Sequence, residues 1–336
     1  MKILYVSVHA VLEDDEVRLF KSLGHEVFTL GVNFGFGAVE PFRESIAFSD
    51  GEKDFLGQFN AMGCSYRYGA AFADEVAITA EFVALFDVVV VMHDLVFIEK
   101  FWDVLSLRPV IWRTIGQNID GCEADAADLK ARGMEIVRYS PVERHAVGYC
   151  GETALIRFAK NPHEFLPWSG RAAFVLTFCN ALSQRYPVLA DLYRDMVDGF
   201  PTVLGGFGNE GLPGNAGILS PRQQADHYSA GRAYLYCSGA EIPYTLNFME
   251  ALMAGMPVVA ADFPPTHRFY EIPSLLDDGA GIVVQTVDDG RRALTALLED
   301  ESYARSVSEK ARARGIELFS TDHIGPQWDR LFRTLT

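Results

Sequence analysis

The chain has 336 residues, enough for two domains of ordinary size. Hydrophobic residues make up 49% and charged residues 22%, which describes a globular protein with an ample core and excludes a disordered chain. The formal net charge of -16 disfavours a nucleic-acid or anionic-membrane partner, since both select basic surface.

In chain order, Ile3 to Val8 predicts a buried strand, and Val17, Leu19, Phe20 and Leu23 mark the inward face of a helix closed by Gly24. Glu26 to Leu30 predicts the next strand and completes one βαβ unit. Glu75 to Phe86 reads as a helix, Asp87 to Met92 as a buried strand, and Arg108 to Trp112 and Glu135 to Tyr139 as two more strands. A second series begins after residue 170. It runs through strand Ala172 to Phe178, helix Val188 to Val197, and strand Thr202 to Leu204, which leads into Gly205-Gly206-Phe207-Gly208. Ser220-Pro221-Arg222-Gln223 is a capping box with proline at the first helical position. Ala233 to Cys237 is the next strand. Thr245 then caps a helix from Leu246 to Ala254, Gly255 stops it, and Pro257 leads into strand Val258 to Ala261. Gly281 to Val284 is the last strand, and helices from residue 288 onward close the chain.

This alternation predicts an α/β protein of two Rossmann-like domains, each a doubly wound parallel sheet. The expected boundaries are 1–160 and 161–318, with 319–336 as a C-terminal helix packing back on the first domain. Ligands bind such sheets beyond the carboxyl ends of the strands, and the expected site is the cleft between two facing domains.

The helix from Leu246 to Ala254 poses a question. Leu246, Phe248, Met249, Ala251, Leu252 and Met253 leave it almost no polar face, yet Glu250 sits in its middle. A buried carboxylate needs hydrogen-bond donors, and either the protein or a ligand must supply them.

Other signals are weaker. Cys64, Cys122, Cys150, Cys179 and Cys237 are scattered, odd in number and without zinc spacing, which predicts reduced thiols in a cytoplasmic protein. The N-terminus turns acidic too early for a signal peptide. The most apolar run, FDVVVVMHDLVF, falls far short of the roughly 20 residues that span a bilayer, although peripheral membrane contact stays open. Glu13-Asp14-Asp15-Glu16 lies at a helix start, where acids complement the helix dipole, and no metal is expected there. Gly31 to Gly37, GVNFGFG, does not open a helix as GxGxxG, and His9-Ala10-Val11 carries no glycine fingerprint, which counts against a dinucleotide oxidoreductase. No GxSxG elbow of a serine hydrolase is present.

Glu250-Ala251-Leu252-Met253-Ala254-Gly255-Met256-Pro257-Val258-Val259 resembles the donor-site signature of retaining GT-B glycosyltransferases, above all family 4. Three further stretches are similar to that family in the right order: Asp87 to Asp94, Ile156 to Pro167 (IRFAKNPHEFLP), and Leu219-Ser220-Pro221 with Tyr228 and Ala230. The sequence departs from the family pattern in places. Eight residues, not seven, separate Glu241 from Glu250, and Tyr244-Thr245 stands where Phe-Gly is usual. Asn180 and Arg185 occupy the slots of an Arg and a Lys, and His9-Ala10 replaces a glycine-rich acceptor loop.

The resemblance implies a glycosyltransferase that moves a sugar from a nucleoside-diphosphate sugar, with a UDP-sugar favoured, to an acceptor glycan, lipid or small molecule. It further implies retention of configuration and metal-independent chemistry. Glu250 would receive the ribose hydroxyls, so that the ligand supplies its partners. Asn180, Arg185, Gly206, Tyr244, Thr245 and Leu246 would bind the rest of the donor, with the diphosphate at the helix N-terminus. His93 and Glu241 would serve the sugar at the reacting centre, and His9 and Arg113 would line the acceptor side. Three alternatives stay open: a nucleotide-sugar epimerase of the same fold, a non-catalytic nucleotide-sugar-binding subunit, and a transferase whose acceptor is a modified DNA base.

Overall fold

The computed structural model describes residues 1–36, 45–67, 76–237, 241–263 and 268–336, and the chain divides into two compact units. The first comprises Met1–Ala159 and Thr321–Thr336, the second Lys160–Ser320.

The first unit begins with β1 (Lys2–Val6), α1 (Ala10–Ser22) and β2 (Glu26–Leu30). It continues through α2 (Asp50–Ala61), α3 (Ala80–Val83), β3 (Val88–Met92), α4 (Leu95–Leu105), β4 (Val110–Arg113), α5 (Ile119–Ala131), β5 (Glu135–Arg138) and β6 (Ala154–Leu155). The six strands form one parallel sheet in the order β2-β1-β3-β4-β5-β6. Every residue of β3, Val-Val-Val-Val-Met, is buried, because a strand covered by helices on both faces reads as a continuous apolar run. One face packs on a nest of rings: Phe28, Phe55, Phe59, Phe82 and Phe86, with centroids 4.9 to 6.3 Å apart. Each such ring contributes about 1.5–3 kcal/mol on burial.

The second unit contains β7 (Ala172–Phe178), α6 (Leu182–Arg185), α7 (Pro187–Val197), β8 (Thr202–Gly205), β9 (Asn215–Gly217), α8 (Pro221–Ala230) and β10 (Gly231–Tyr236). It ends with α9 (Leu246–Ala254), β11 (Val258–Ala261), α10 (Ile272–Leu275), β12 (Gly281–Val284), α11 (Val287–Glu299) and α12 (Glu301–Phe319). Its parallel sheet runs β12-β11-β10-β7-β8-β9. Gly315 lets α12 lie against α9, since a Cβ there would come within 2.7 Å of the Leu252 backbone. The last helix, α13 (Thr321–Leu335), belongs to the first unit, where Trp328 and Phe332 meet the Phe20 ring edge to face at 5.1 and 5.3 Å.

Two expectations are corrected here. The helix drawn from 75 to 86 is only Ala80–Val83, capped by the Thr79 side chain, and Glu75 lies outside the described residues. The acids Glu13 to Glu16 do more than complement a dipole, for all four are buried. The Glu13 carboxylate accepts from the backbone N–H of Val32 (2.7 Å) and of Asn33 (2.9 Å), so it ties α1 to the turn after β2. Glu16 accepts from Tyr5 Oη and from Arg113 Nε, and Asp14 pairs with Arg18.

Burial pushes the Glu13 pKa from 4.5 up to about 7, against the hydrogen bonds from Asn33 and Val32 that lower it. A carboxyl whose folded pKa lies above its unfolded value stabilises fully below about 4.5, and that contribution is lost as pH rises through about 7. The unfolding free energy is therefore expected to fall by up to about 3 kcal/mol across that interval through this group alone. Denaturant titrations at stepped pH should show a flatter profile for Glu13→Gln, and an identical slope in the variant would exclude Glu13 as the source.

Candidate functional site

Each sheet has one point where the strand order reverses, and there the loops leave toward opposite faces. In the second unit the reversal falls between β7 and β10, because the chain runs outward through β8 and β9 before returning to β10. Asn180 follows β7, Gly206 follows β8, and α9 follows β10, so all three stand at the carboxyl edge of the sheet.

Thr245 caps α9, its side chain accepting from Phe248 N at 3.4 Å. Leu246 and Asn247, the first two residues of the helix, carry backbone N–H groups that the helix itself does not use, the usual basis of an anion site. Asn180 Oδ1 accepts from Phe207 N at 3.2 Å, which joins it to the Gly206 loop. Gly206 has φ +128°, and a Cβ there would strike Cys179 O at 2.3 Å, so the close approach of the two loops requires glycine. Buried Asn209 knits the same loops: it accepts from Leu182 N and donates to Cys179 O and Gly206 O. Arg185 is exposed at the end of α6, its guanidinium 5.0 Å from the Tyr186 ring centroid, and it pairs with no carboxylate among the described residues.

Glu250 does not wait for a ligand to supply its partners. Lys160 Nζ lies 2.9 Å from Oε1, and Tyr228 Oη donates to Oε2 at 3.3 Å. The Lys160 side chain is 1% exposed and that of Glu250 15%, so the pair is mostly removed from water and only the Glu250 side has any exposure to speak of. Tyr244 also requires correction as a donor contact. Its ring is 4% exposed and packs between Phe248 and Phe319, a core position that leaves no side-chain surface for a ligand. Glu241 is exposed with a left-handed backbone, φ +50°, four residues before Thr245.

In the first unit the reversal falls between β1 and β3, and His9 and His93 follow those two strands. His93 takes φ +66°, uncommon for a residue with a side chain. Its N–H donates to Arg113 O at 2.8 Å and its carbonyl accepts from Trp112 Nε1 at 3.0 Å, so β4 imposes the conformation. Such imposed backbone strain collects at functional positions. Burial lowers the His93 pKa from 6.5 against the pull of Asp94, which keeps the imidazole neutral at neutral pH. His9 is the N-cap of α1, its Nδ1 accepting from Leu12 N at 3.3 Å, which commits that nitrogen as an acceptor and puts the ring proton on Nε2.

Arg113 is not an acceptor contact. It lies inside β4, 0% exposed, with Nε 2.9 Å from Glu16 Oε1 and a second nitrogen donating to Ile156 O. Its guanidinium sits 4.1 Å from the Phe158 ring and 5.4 Å from that of Trp328. A cation so enclosed holds the unit together and cannot reach a substrate. Among the described residues no group of three His, Cys, Asp or Glu is placed to hold a metal ion, and no helix is long and apolar enough to cross a membrane.

Sequence reasoning missed Lys160 and Asn209 and gave Tyr228 no role. For Lys160 a signal existed. It follows Ile156, Phe158 and Ala159 in a segment that carries only Arg157 as another charge, and an isolated carboxylate on a buried helix calls for a cation of that kind.

No family model matches the sequence, and no curated protein does. The likeness is to solved structures. Anabaena HepE in complex with UDP-glucose superposes with a TM-score of 0.68 at 14% identity, covering 100% of both chains. A glycosyltransferase from Rickettsia africae gives 0.67 at 11% identity over 99% of this chain and 98% of the other. The chain has the GT-B fold. TarM gives 0.59 at 16% identity over 73% of this chain, which spans only 54% of TarM. The likeness is therefore one of architecture, two six-stranded parallel sheets flanked by helices.

Proposed function

We propose that this protein is a glycosyltransferase that takes a sugar from a nucleoside-diphosphate sugar, held on the second unit, and transfers it to an acceptor hydroxyl held on the first. One observation carries the reading. At the strand reversal of the second unit, a helix N-terminus opens and a carboxylate stands one turn further along the same helix, held by Lys160 and partly exposed. A diphosphate fits the first feature and a ribose diol the second. The complexes of HepE with UDP-glucose and with UDP support a UDP-sugar as donor.

In the reaction the acceptor oxygen bonds to the anomeric carbon while that carbon's bond to the diphosphate oxygen breaks. The hydroxyl proton leaves with the diphosphate. The N–H groups of Leu246 and Asn247, with Arg185 swung from Tyr186, would stabilise the negative charge that develops there. Neutral His93 would hydrogen-bond the transferred sugar, and Glu241 its hydroxyls. Retention, family 4 membership and metal independence rest on the sequence resemblance, and a cytoplasmic setting on the five free thiols.

A panel of UDP, GDP, ADP, dTDP and CDP sugars read by thermal shift tests the donor reading. One nucleotide series should raise the midpoint, at 100 times Kd by the equivalent of about 2.7 kcal/mol. Arg185→Ala, at an exposed position, should weaken that nucleotide about tenfold and leave the unliganded midpoint in place. No shift by any series at millimolar ligand would contradict the reading, and binding without sugar transfer or donor hydrolysis would favour a non-catalytic subunit.

A further inference from the structure

We infer that Lys160 is a positioning residue for nucleotide recognition: it fixes the orientation of the Glu250 carboxylate and offsets its charge. The inference rests on the donor reading above. Lys160 Nζ holds Oε1 at 2.9 Å and Tyr228 Oη holds Oε2 at 3.3 Å, so each oxygen has one donor and one acceptor position left. The ammonium on one oxygen, with the tyrosine hydroxyl beside the other, sets the plane of the carboxylate, which then presents its remaining lone pairs to one diol. The single Tyr228 proton is shared between Glu250 Oε2 at 3.3 Å and Asn247 O at 3.2 Å, so the Lys160 ammonium is the stronger of the two anchors.

The lysine is equally fixed. Its backbone N–H donates to Phe319 O at 2.7 Å, and two residues on, Pro162 O accepts from Arg312 at 3.0 Å. Its side chain therefore leaves from a segment pinned on α12. Charge supplies the second argument. A lone carboxylate beside the N-terminus of α9 would repel a diphosphate, and a buried ammonium at 2.9 Å makes the pair neutral overall. A lysine beneath a ribose-binding carboxylate thus serves both halves of the nucleotide without touching either.

The test titrates UDP, 2′-deoxy-UDP and uridine into wild type, Lys160→Met and Lys160→Gln. Wild type should prefer UDP over 2′-deoxy-UDP by about tenfold or more, the worth of one hydrogen bond to a charged group. In Lys160→Met that preference should drop below about threefold as the carboxylate loses its anchor. Lys160→Gln keeps a donor and loses the charge. It should largely restore the ribose preference while its preference for UDP over uridine falls about tenfold. If both UDP nucleotides weaken by the same factor in Lys160→Met, with the ratio unchanged, Lys160 is only structural and the inference is overturned. Should Lys160→Met fail to fold, Lys160→Gln decides: an unchanged UDP-to-uridine ratio overturns the inference. A wild type that ignores the 2′-hydroxyl, or does not bind UDP, overturns the donor reading itself and the inference with it.

Discussion

Glu250→Ala is expected to destabilise the second unit by about 3–5 kcal/mol before any ligand is added. The cause is what the substitution leaves behind. Lys160 is 1% exposed, and without Glu250 its ammonium is a buried charge with its carboxylate gone. Urea titration of the wild type, Glu250→Ala and Lys160→Met/Glu250→Gln separates the terms. The double variant, with no charge to strand, should recover most of the loss. A single-variant loss under about 1 kcal/mol would mean that the ammonium finds another acceptor or water. The prediction also governs how binding data are read, because loss of nucleotide binding by Glu250→Ala at room temperature can reflect unfolding as readily as a missing ribose contact.

The second large effect is expected in the first unit. Arg113→Met should cost about 3–5 kcal/mol, since Glu16, 1% exposed, would keep the Tyr5 hydroxyl and lose its only cation in the described structure. The substitution also removes the donor to Ile156 O and the guanidinium beside the Phe158 and Trp328 rings. Methionine fills most of the same volume, so the loss reports charge and hydrogen bonding more than a cavity. Arg113→Met/Glu16→Gln should return to within about 1 kcal/mol of wild type, with Tyr5 still donating to the amide oxygen. If Arg113→Met folds normally yet abolishes turnover, the arginine serves the acceptor after all.

The two arginine and lysine pairs show why some of the molecule was legible in the sequence and some was not. Strands Glu26–Leu30, Ala172–Phe178, Val258–Ala261 and Gly281–Val284 and helix Leu246–Ala254 were read with their observed bounds. Buried parallel strands are short apolar runs bounded by turn residues, and α9 has a cap at each end. Helix α5 escaped because Ile119 to Ala131 has only Ile119 and Leu129 as large apolar residues, contains Gly121, and starts from left-handed Asn118 with no side-chain cap. Helix α4 escaped for the opposite reason: Leu95 to Leu105 is so apolar that its period is hard to see, although Asp94 caps it.

Site residues divide along a similar line. The edge on which His9, His93, Asn180, Gly206 and Thr245 stand follows from strand order, and strand order follows from the alternation of elements. What each side chain does there depends on partners far along the chain. Glu13 meets Asn33, Glu16 meets Arg113, and Lys160 meets Glu250, separated by 20, 97 and 90 residues. No local pattern encodes such pairs. Arg113 shows how little shifts a reading: β4 runs one residue past the expected Trp112, and that residue becomes core instead of loop.

A structure of the protein grown with UDP would show where the nucleotide sits. The diphosphate is expected against the N–H groups of Leu246 and Asn247, and the ribose hydroxyls on Glu250 with the Lys160 contact intact. Nucleotide bound elsewhere, or ribose hydroxyls held by other groups while Glu250 stays closed on Lys160 and Tyr228, would contradict the donor reading.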